Sequence, residues 1–180
     1  KIIPKGSDNN LVAFVLEKKS PNYQGGKGVF KDGIHILFPY IVTEPKIQYL
    51  LRYNSITNEN ILNLFSSINS INEPDDIFDI AVIERNNWQM YGSTKPAHEP
   101  YKLTNIYKNK DKDNTMKQIH NTFSDKDILK LLSIRYIKEE HIIKNDMYYE
   151  NFDSDFSNIP KQQQIKKNKK VVNKKKKSPI

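Results

Sequence analysis

The last twenty residues, Lys161–Ile180, hold nine lysines and no acid, which confines any folded core to the chain before them. Such a run cannot bury enough apolar surface to offset the entropy of ordering it, so residues 151–180 are expected to be a disordered tail or linker. A solvated linker is the plainer role for it; phosphate binding or nuclear import is the alternative. The chain of 180 residues carries +8 overall, yet removing those nine lysines from 29 basic groups leaves 20 against 21 acids, a balance of −1. The body, residues 1–150, is therefore a near-neutral domain, and the whole chain's 37% hydrophobic content supports one core of modest size. The absence of cysteine excludes disulfides and thiolate metal sites, and it fits an intracellular, reducing compartment. No apolar run approaches the ~20 residues of a membrane span, so no membrane partner is expected.

Within the body, two stretches place a chemically capable residue inside a strand-like run. In Lys31–Pro39 (KDGIHILFP), Ile34, Ile36 and Phe38 share one face by the two-residue strand period, and His35 shares the other with Leu37. In Asp79–Pro96 (DIAVIERNNWQMYGSTKP), the run Ile77–Ile83 is apolar on both faces except at Asp79. A carboxylate buried in such a strand must meet a cation or strong donors, because desolvating it costs several kcal/mol. The polar run that follows, ending in Ser93, Thr94 and Lys95, suits phosphate.

The rest of the pattern predicts an α+β fold. Leu11–Leu16 reads as a strand and Asn22–Gly28 as a glycine-rich hairpin loop rather than a phosphate cradle, since no helix start follows it. Thr43 with Pro45 opens a helix carrying Ile47, Leu50 and Leu51, and a second helix follows Thr57 with Ile61, Leu62, Leu64, Phe65 and Ile68. Asn86-Asn87 is turn chemistry, which predicts that Trp88–Tyr91 returns beside the Asp79 strand as a hairpin. Tyr101–Tyr107 is a further strand, Lys108–Gln118 a charged loop, and Ser124 caps a helix through Ser133. No fixed structure is expected after Asn151.

The order G-x-H on a strand, an Asp in an apolar run, then N-N-W-x-M-Y-G-S-x-K-P resembles the archaeo-eukaryotic primase superfamily. More narrowly, it is similar to the primase part of the primase–helicase replication proteins of nucleocytoplasmic large DNA viruses. VLEK at Val15–Lys18, FPYIVTEP at Phe38–Pro45 and LLSIR at Leu131–Arg135 extend the likeness over about Leu11 to Arg135. The resemblance implies a DNA primase, a nucleotidyltransferase working in DNA replication in the host-cell cytoplasm. Its fold would be the C-terminal portion of a primase catalytic core, a mixed sheet with flanking helices. Its partners would be a single-stranded DNA template, nucleoside triphosphates and a helicase part of the same polypeptide; its cofactor would be Mg²⁺ or Mn²⁺.

The resemblance also assigns residues. Asp79 would be a catalytic metal ligand, and His35 would contact the phosphates of the incoming nucleotide. Lys95, Ser93 and Gly33 would be nucleotide-binding, and Arg85, Asn87 and Trp88 would touch nucleic acid. His35 and Asp79 would then lie on neighbouring strands with side chains on one face. Read without the family, His35 is a hydrogen-bonded core histidine, Trp88 a core aromatic, and Asn87 mere turn chemistry. The superfamily usually has Ser-x-His where this chain has Gly33, so a hydroxyl contact is lost and only a backbone N–H is left there. Two further carboxylates, of an Asp-x-Asp or Asp-x-Glu motif on an upstream strand, have no counterpart; Asp8 is a loop residue. The chain therefore reads as a fragment of an enzyme, or alternatively as a non-catalytic nucleic-acid-binding module or truncated relic. His98, His120 and His141 show no metal-ligand spacing.

Overall fold

Val12, Phe14 and Leu16 alternate along the first strand, all three are buried, and the main core is assembled on them. The computed structural model describes residues 11–68, 70–96, 98–109, 115–133, 135, 137–143 and 150–164. Strand β1 (Val12–Glu17) lies between β4 (Ile34–Leu37) and β5 (Lys102–Asn109), and β6 (Met116–Ile119) closes the order β4-β1-β5-β6. A separate two-stranded hairpin, β2 (Asn22–Gln24) and β3 (Val29–Lys31), leaves the sheet between β1 and β4. The α+β class is as expected. Every pairing in the four-stranded sheet is antiparallel, not mixed; a parallel bridge joins Val42 and Ile142 outside it.

The register fixes the two faces. Phe14 is opposite Leu37 and Ile106, and Leu16 is opposite His35 and Leu103. This face is covered by α5 (Asp125–Leu131), whose Ile128 and Leu131 join Leu132 and Ile106 in the core, with Phe123 at 5.5 Å from Phe14. Ser124 caps that helix, accepting the Asp127 N–H at 3.2 Å, and Asp125 and Asp127 sit in its first turn. Ile34, Ile36 and Phe38 occupy the opposite, open face and are 58%, 53% and 41% exposed. His35 and Leu37 belong to the covered face, so the two faces of β4 divide the residues as the strand period predicts, with the isoleucines toward solvent.

A second cluster gathers α1 (Pro45–Thr57) against the chain's last described elements. Pro45 sits in the first turn, and Ile47 and Leu50 face inward while Leu51 is exposed. They meet Phe152 of α6 (Phe152–Ser157) and Ile159, with Phe156 beside them. The expectation of no fixed structure after Asn151 is therefore corrected: Phe152 and Phe156, four apart on α6, and Ile159 just beyond it pack on α1, a spacing that the surrounding Asp, Ser and Asn residues obscure. Helix α7 (Lys161–Gln164) follows, and the rest of the lysine-rich segment, 165–180, lies outside the described residues. Lys108–Gln118 is corrected in part, since β6 begins at Met116; 110–114 lie outside the described residues.

The larger correction falls on Ile77–Ile83. Helix α2 (Glu59–Ser67) is capped by Asn58, as expected of a second helix after Thr57. Asp79 then lies in no strand: it separates two short helices, α3 (Pro74–Ile77) and α4 (Ala81–Glu84). Pro74 occupies the first helical turn with Asp75 and Asp76, and Asp79 Oδ1 accepts the Ala81 N–H at 2.9 Å. A seven-residue apolar run does not distinguish strand from helix, and here the local capping signals decide. Trp88–Tyr91 likewise forms no strand; Ser93 N–H closes a turn onto the Met90 carbonyl at 3.0 Å.

Candidate functional site

The antiparallel register brings three chain segments to one end of the sheet. Glu17 pairs with both Ile34 and Lys102, so the residues just beyond, Lys18, Gly33 and Tyr101, converge there. Tyr101 stacks on His35, with ring centroids 3.9 Å apart and planes inclined by 17°. Trp88 meets the same imidazole edge-on at 5.2 Å. Lys18 Nζ stands 5.0 Å from the centre of the Tyr101 ring, within cation–π range. The Tyr91 hydroxyl accepts the Leu103 N–H at 3.4 Å, which ties the Trp88–Ser93 turn to β5. A pocket opens between these pieces, lined by His35, Trp88, Ser93, Tyr101 and Leu132 among others, and among the described residues no acid lines it.

Electrostatics follow from that assembly. Burial, then the positive charges of Lys18 and Lys95, hold the His35 imidazole below its usual 6.5, so it is neutral at pH 7. Burial, and then the Asp32 carboxylate, push the Tyr101 phenol up. The folded state therefore binds fewer protons at His35 than the unfolded state as pH falls through 6.5. Stability is unaffected by this group above that pH and declines below it, toward the lowered folded value. His35→Gln should remove that decline, which denaturant midpoints for both proteins at pH 7.5 and 5.5 would reveal.

Of the residues assigned from sequence, His35, Ser93, Trp88 and Lys95 come together. Ser93 Oγ donates to the Met90 carbonyl at 2.7 Å, so the hydroxyl braces its own turn while lining the pocket. Gly33 adjoins them in an unexpected way. Its N–H donates to Asp32 Oδ1 at 2.8 Å, so the backbone donor expected for phosphate already has a carboxylate partner. A Cβ at Gly33 would lie 3.0 Å from the Tyr101 hydroxyl, which shows what replaces the missing serine: Tyr101 closes into that space.

Asp79, Arg85 and Asn87 do not line this pocket, and all three are exposed. Asp79 is not on a strand beside His35, so the expected shared face is overturned. Arg85 ends α4, near the Tyr49 hydroxyl that donates to Glu84 Oε2 at 2.6 Å. That bond, together with burial, pushes the Tyr49 phenol up to about 12. Among the described residues no group of three His, Asp or Glu side chains is placed to hold a metal ion. With one Asp79 oxygen committed to the Ala81 N–H, the described residues do not fit a divalent-metal centre. Sequence reasoning missed Lys18 and Tyr101, which lie 83 positions apart; only the β1–β5 register joins them.

Comparison with known proteins places this geometry. Residues 2–107 match the family described as the C962R protein N-terminal AEP domain, AEP standing for archaeo-eukaryotic primase. A segment of 100 residues is 32% identical to a protein named as a helicase, L207/L206 of Acanthamoeba polyphaga mimivirus. That match covers 55% of this chain and 10% of the relative. No solved structure matches. The chain belongs to the archaeo-eukaryotic primase domains of the C962R type, as the motifs around His35 and Trp88 implied.

Proposed function

We propose that this chain is the triphosphate-binding part of a viral primase–helicase module, and that it holds a nucleoside triphosphate by its phosphates. The observation that carries the reading is the half-buried His35, clasped by Tyr101 and Trp88, with Lys18 and Lys95 near enough to depress its basicity. A neutral imidazole donates one N–H; a polyphosphate beside it favours the second proton and converts it to a charged donor. Lys18 and Lys95 are compact point charges that suit phosphate oxygens. Tyr101 and Trp88 fix the imidazole plane, so little rotamer entropy is lost on binding.

Gly33 belongs to the same design. Gly33→Ser would restore the superfamily hydroxyl but drive it against Tyr101, and overpacking of that kind costs about 1–3 kcal/mol. Triphosphate affinity should fall about tenfold in Gly33→Ser, and Gly33→Ser/Tyr101→Ala should recover part of it. Titration calorimetry on the variants checks this; unchanged affinity in Gly33→Ser would separate Tyr101 from the site.

The wider module would pair this domain with a helicase part of the same polypeptide, a single-stranded DNA template and nucleoside triphosphates, which the family and the helicase-named relative support. Nucleotidyl transfer in such primases would draw on Mg²⁺ or Mn²⁺ to neutralise the triphosphate and the leaving pyrophosphate. Asp79 alone does not furnish that centre, so no catalytic step is routed through it. This favours a second reading for the chain in isolation, a binding module without its own catalysis. The test is template-directed incorporation of a labelled nucleotide on oligothymidylate with Mg²⁺ or Mn²⁺. We expect none from the 180-residue chain although it binds triphosphate; sustained synthesis would show a metal centre that Asp79 does not explain. Inorganic tripolyphosphate should displace bound nucleotide, and failure to compete would move recognition from the phosphates to the base.

A further inference from the structure

The β2–β3 hairpin carries two large aromatic rings outside both core clusters. Tyr23 and Phe30 are directly opposed in register, their ring centroids are 5.1 Å apart, and they are 62% and 72% exposed. The turn between them is tight: Lys27 and Gly28 N–H groups both donate to the Gln24 carbonyl, and Gly28 adopts a φ of 66°, which glycine takes without strain. The edge of the Tyr23 ring adjoins Gly25, with Cε1 3.7 Å from the position of a Cβ there, an ordinary van der Waals distance. From Lys18 to Lys31 the chain carries four lysines and no acid, and Lys19, Lys27 and Lys31 are exposed.

We infer that this hairpin is a stacking platform for single-stranded nucleic acid, with Tyr23 and Phe30 receiving unpaired bases and Lys19, Lys27 and Lys31 meeting the phosphates. Paired rings alone would only stabilise the hairpin. An apolar protein partner would not call for the exposed Lys19, Lys27 and Lys31 beside the rings, whereas a polyanion with exposed π-faces matches both features. Placement supports the same occupant. The hairpin is inserted between residues that flank His35: Lys18, beside the Tyr101 ring, precedes it, and Gly33 and His35 follow β3. A strand bound on the hairpin therefore engages the same stretch of chain that leads into His35. The inference rests on the template side of the proposed module but requires neither bound triphosphate nor metal.

The experiment is fluorescence anisotropy of the full chain with a labelled 20-nucleotide oligothymidylate, the same-length oligouridylate and a duplex, without nucleotide, over a range of salt. Base stacking on an aromatic side chain typically carries enough energy that Tyr23→Leu/Phe30→Leu should lose about tenfold or more in single-strand affinity. Duplex binding should change little, and the salt slope should be kept. Lys27→Gln/Lys31→Gln should instead flatten the salt slope by about 1.4, two phosphate contacts on a single strand. Oligouridylate binding equal to oligothymidylate would assign the platform to either nucleic acid, a preference to one of them. Any lysine-tail contribution is common to all variants and cancels. As a check independent of the leucine pair's folding, Phe30→Trp fluorescence should be quenched by the oligonucleotide. Unaltered single-strand affinity in the leucine pair, equal losses on single strand and duplex, or an unquenched Trp would overturn the inference. So would a leucine pair that changed only self-association in sedimentation. Because no triphosphate is present, these outcomes are separate from those that test the His35 site.

Discussion

Lys18→Ala/Lys95→Ala should weaken nucleoside triphosphate binding by about a hundredfold or more, since hydrogen bonds to charged groups contribute about 1.5–3 kcal/mol each. Both ammonium groups act on His35 from different segments, Lys18 from the end of β1 and Lys95 from the turn after Trp88. Removing them takes away the two positive charges that act on the His35 ring. It should also relieve His35, whose pKa should move up toward 6.5 in the unliganded variant. The two effects have opposite signs for binding, because an easier-to-protonate histidine recovers part of the lost attraction. Calorimetry at pH 8, where His35 stays neutral, isolates the lysine contribution; the loss should be smaller at pH 6. A double variant within threefold of the parent at pH 8 would remove the lysines from the site.

Arg52→Leu should be the most destabilising polar substitution in the described chain. Arg52 is 7% exposed, and its guanidinium donates to the Phe78 carbonyl at 2.7 Å, the Asp75 carbonyl at 3.1 Å and Gln163 Oε1 at 2.7 Å. The Asp75 carboxylate, 3.5 Å away, adds little because it is largely exposed. One buried cation thereby fastens α1 to the α3–α4 segment that presents Asp79, and to α7. Leucine fills the stem's volume but leaves those acceptors unmade, which should cost about 3 kcal/mol of stability. For a chain of this size that corresponds to roughly 6–12 °C in melting temperature. Arg52→Lys should recover only part, because a single ammonium cannot span three acceptors. Differential scanning calorimetry measures both; a shift under about 2 °C in Arg52→Leu would show that α1 and α3 are held by packing alone.

Where a run of residues carried its own period or caps, the sequence was a sufficient guide. β1 and β5 follow from alternation, α1 from Pro45 and the Ile47–Leu50 pair, and α5 from Ser124 with its two following acids. The Asp79 segment was misread because seven apolar residues satisfy strand and buried helix alike, and the deciding groups, Pro74 and the Asp79 side chain, act through local hydrogen bonds. Which face of β4 is covered was not legible, since Ile34 and Ile36 are as apolar as Leu37; the pairing of His35 and Leu37 with Leu16 and Phe14 decides it. The basic and aromatic partners of His35 were hidden for the same reason. Lys18 and Tyr101 gain meaning from a register between β1 and β5 that no local pattern encodes. The family motifs named His35, Trp88, Ser93 and Lys95 from their order along the chain, and the fold gathers them around the His35 ring.

The measurement closest to the central claim is the imidazole titration of the four histidines by NMR, with and without ATP. In the free chain His35 should titrate below 6.5, as its burial and its two lysine neighbours require. Saturating ATP should raise the His35 pKa, because the polyphosphate favours the protonated ring. A His35 that titrates unchanged in the presence of bound ATP would contradict the assignment of this pocket to the triphosphate.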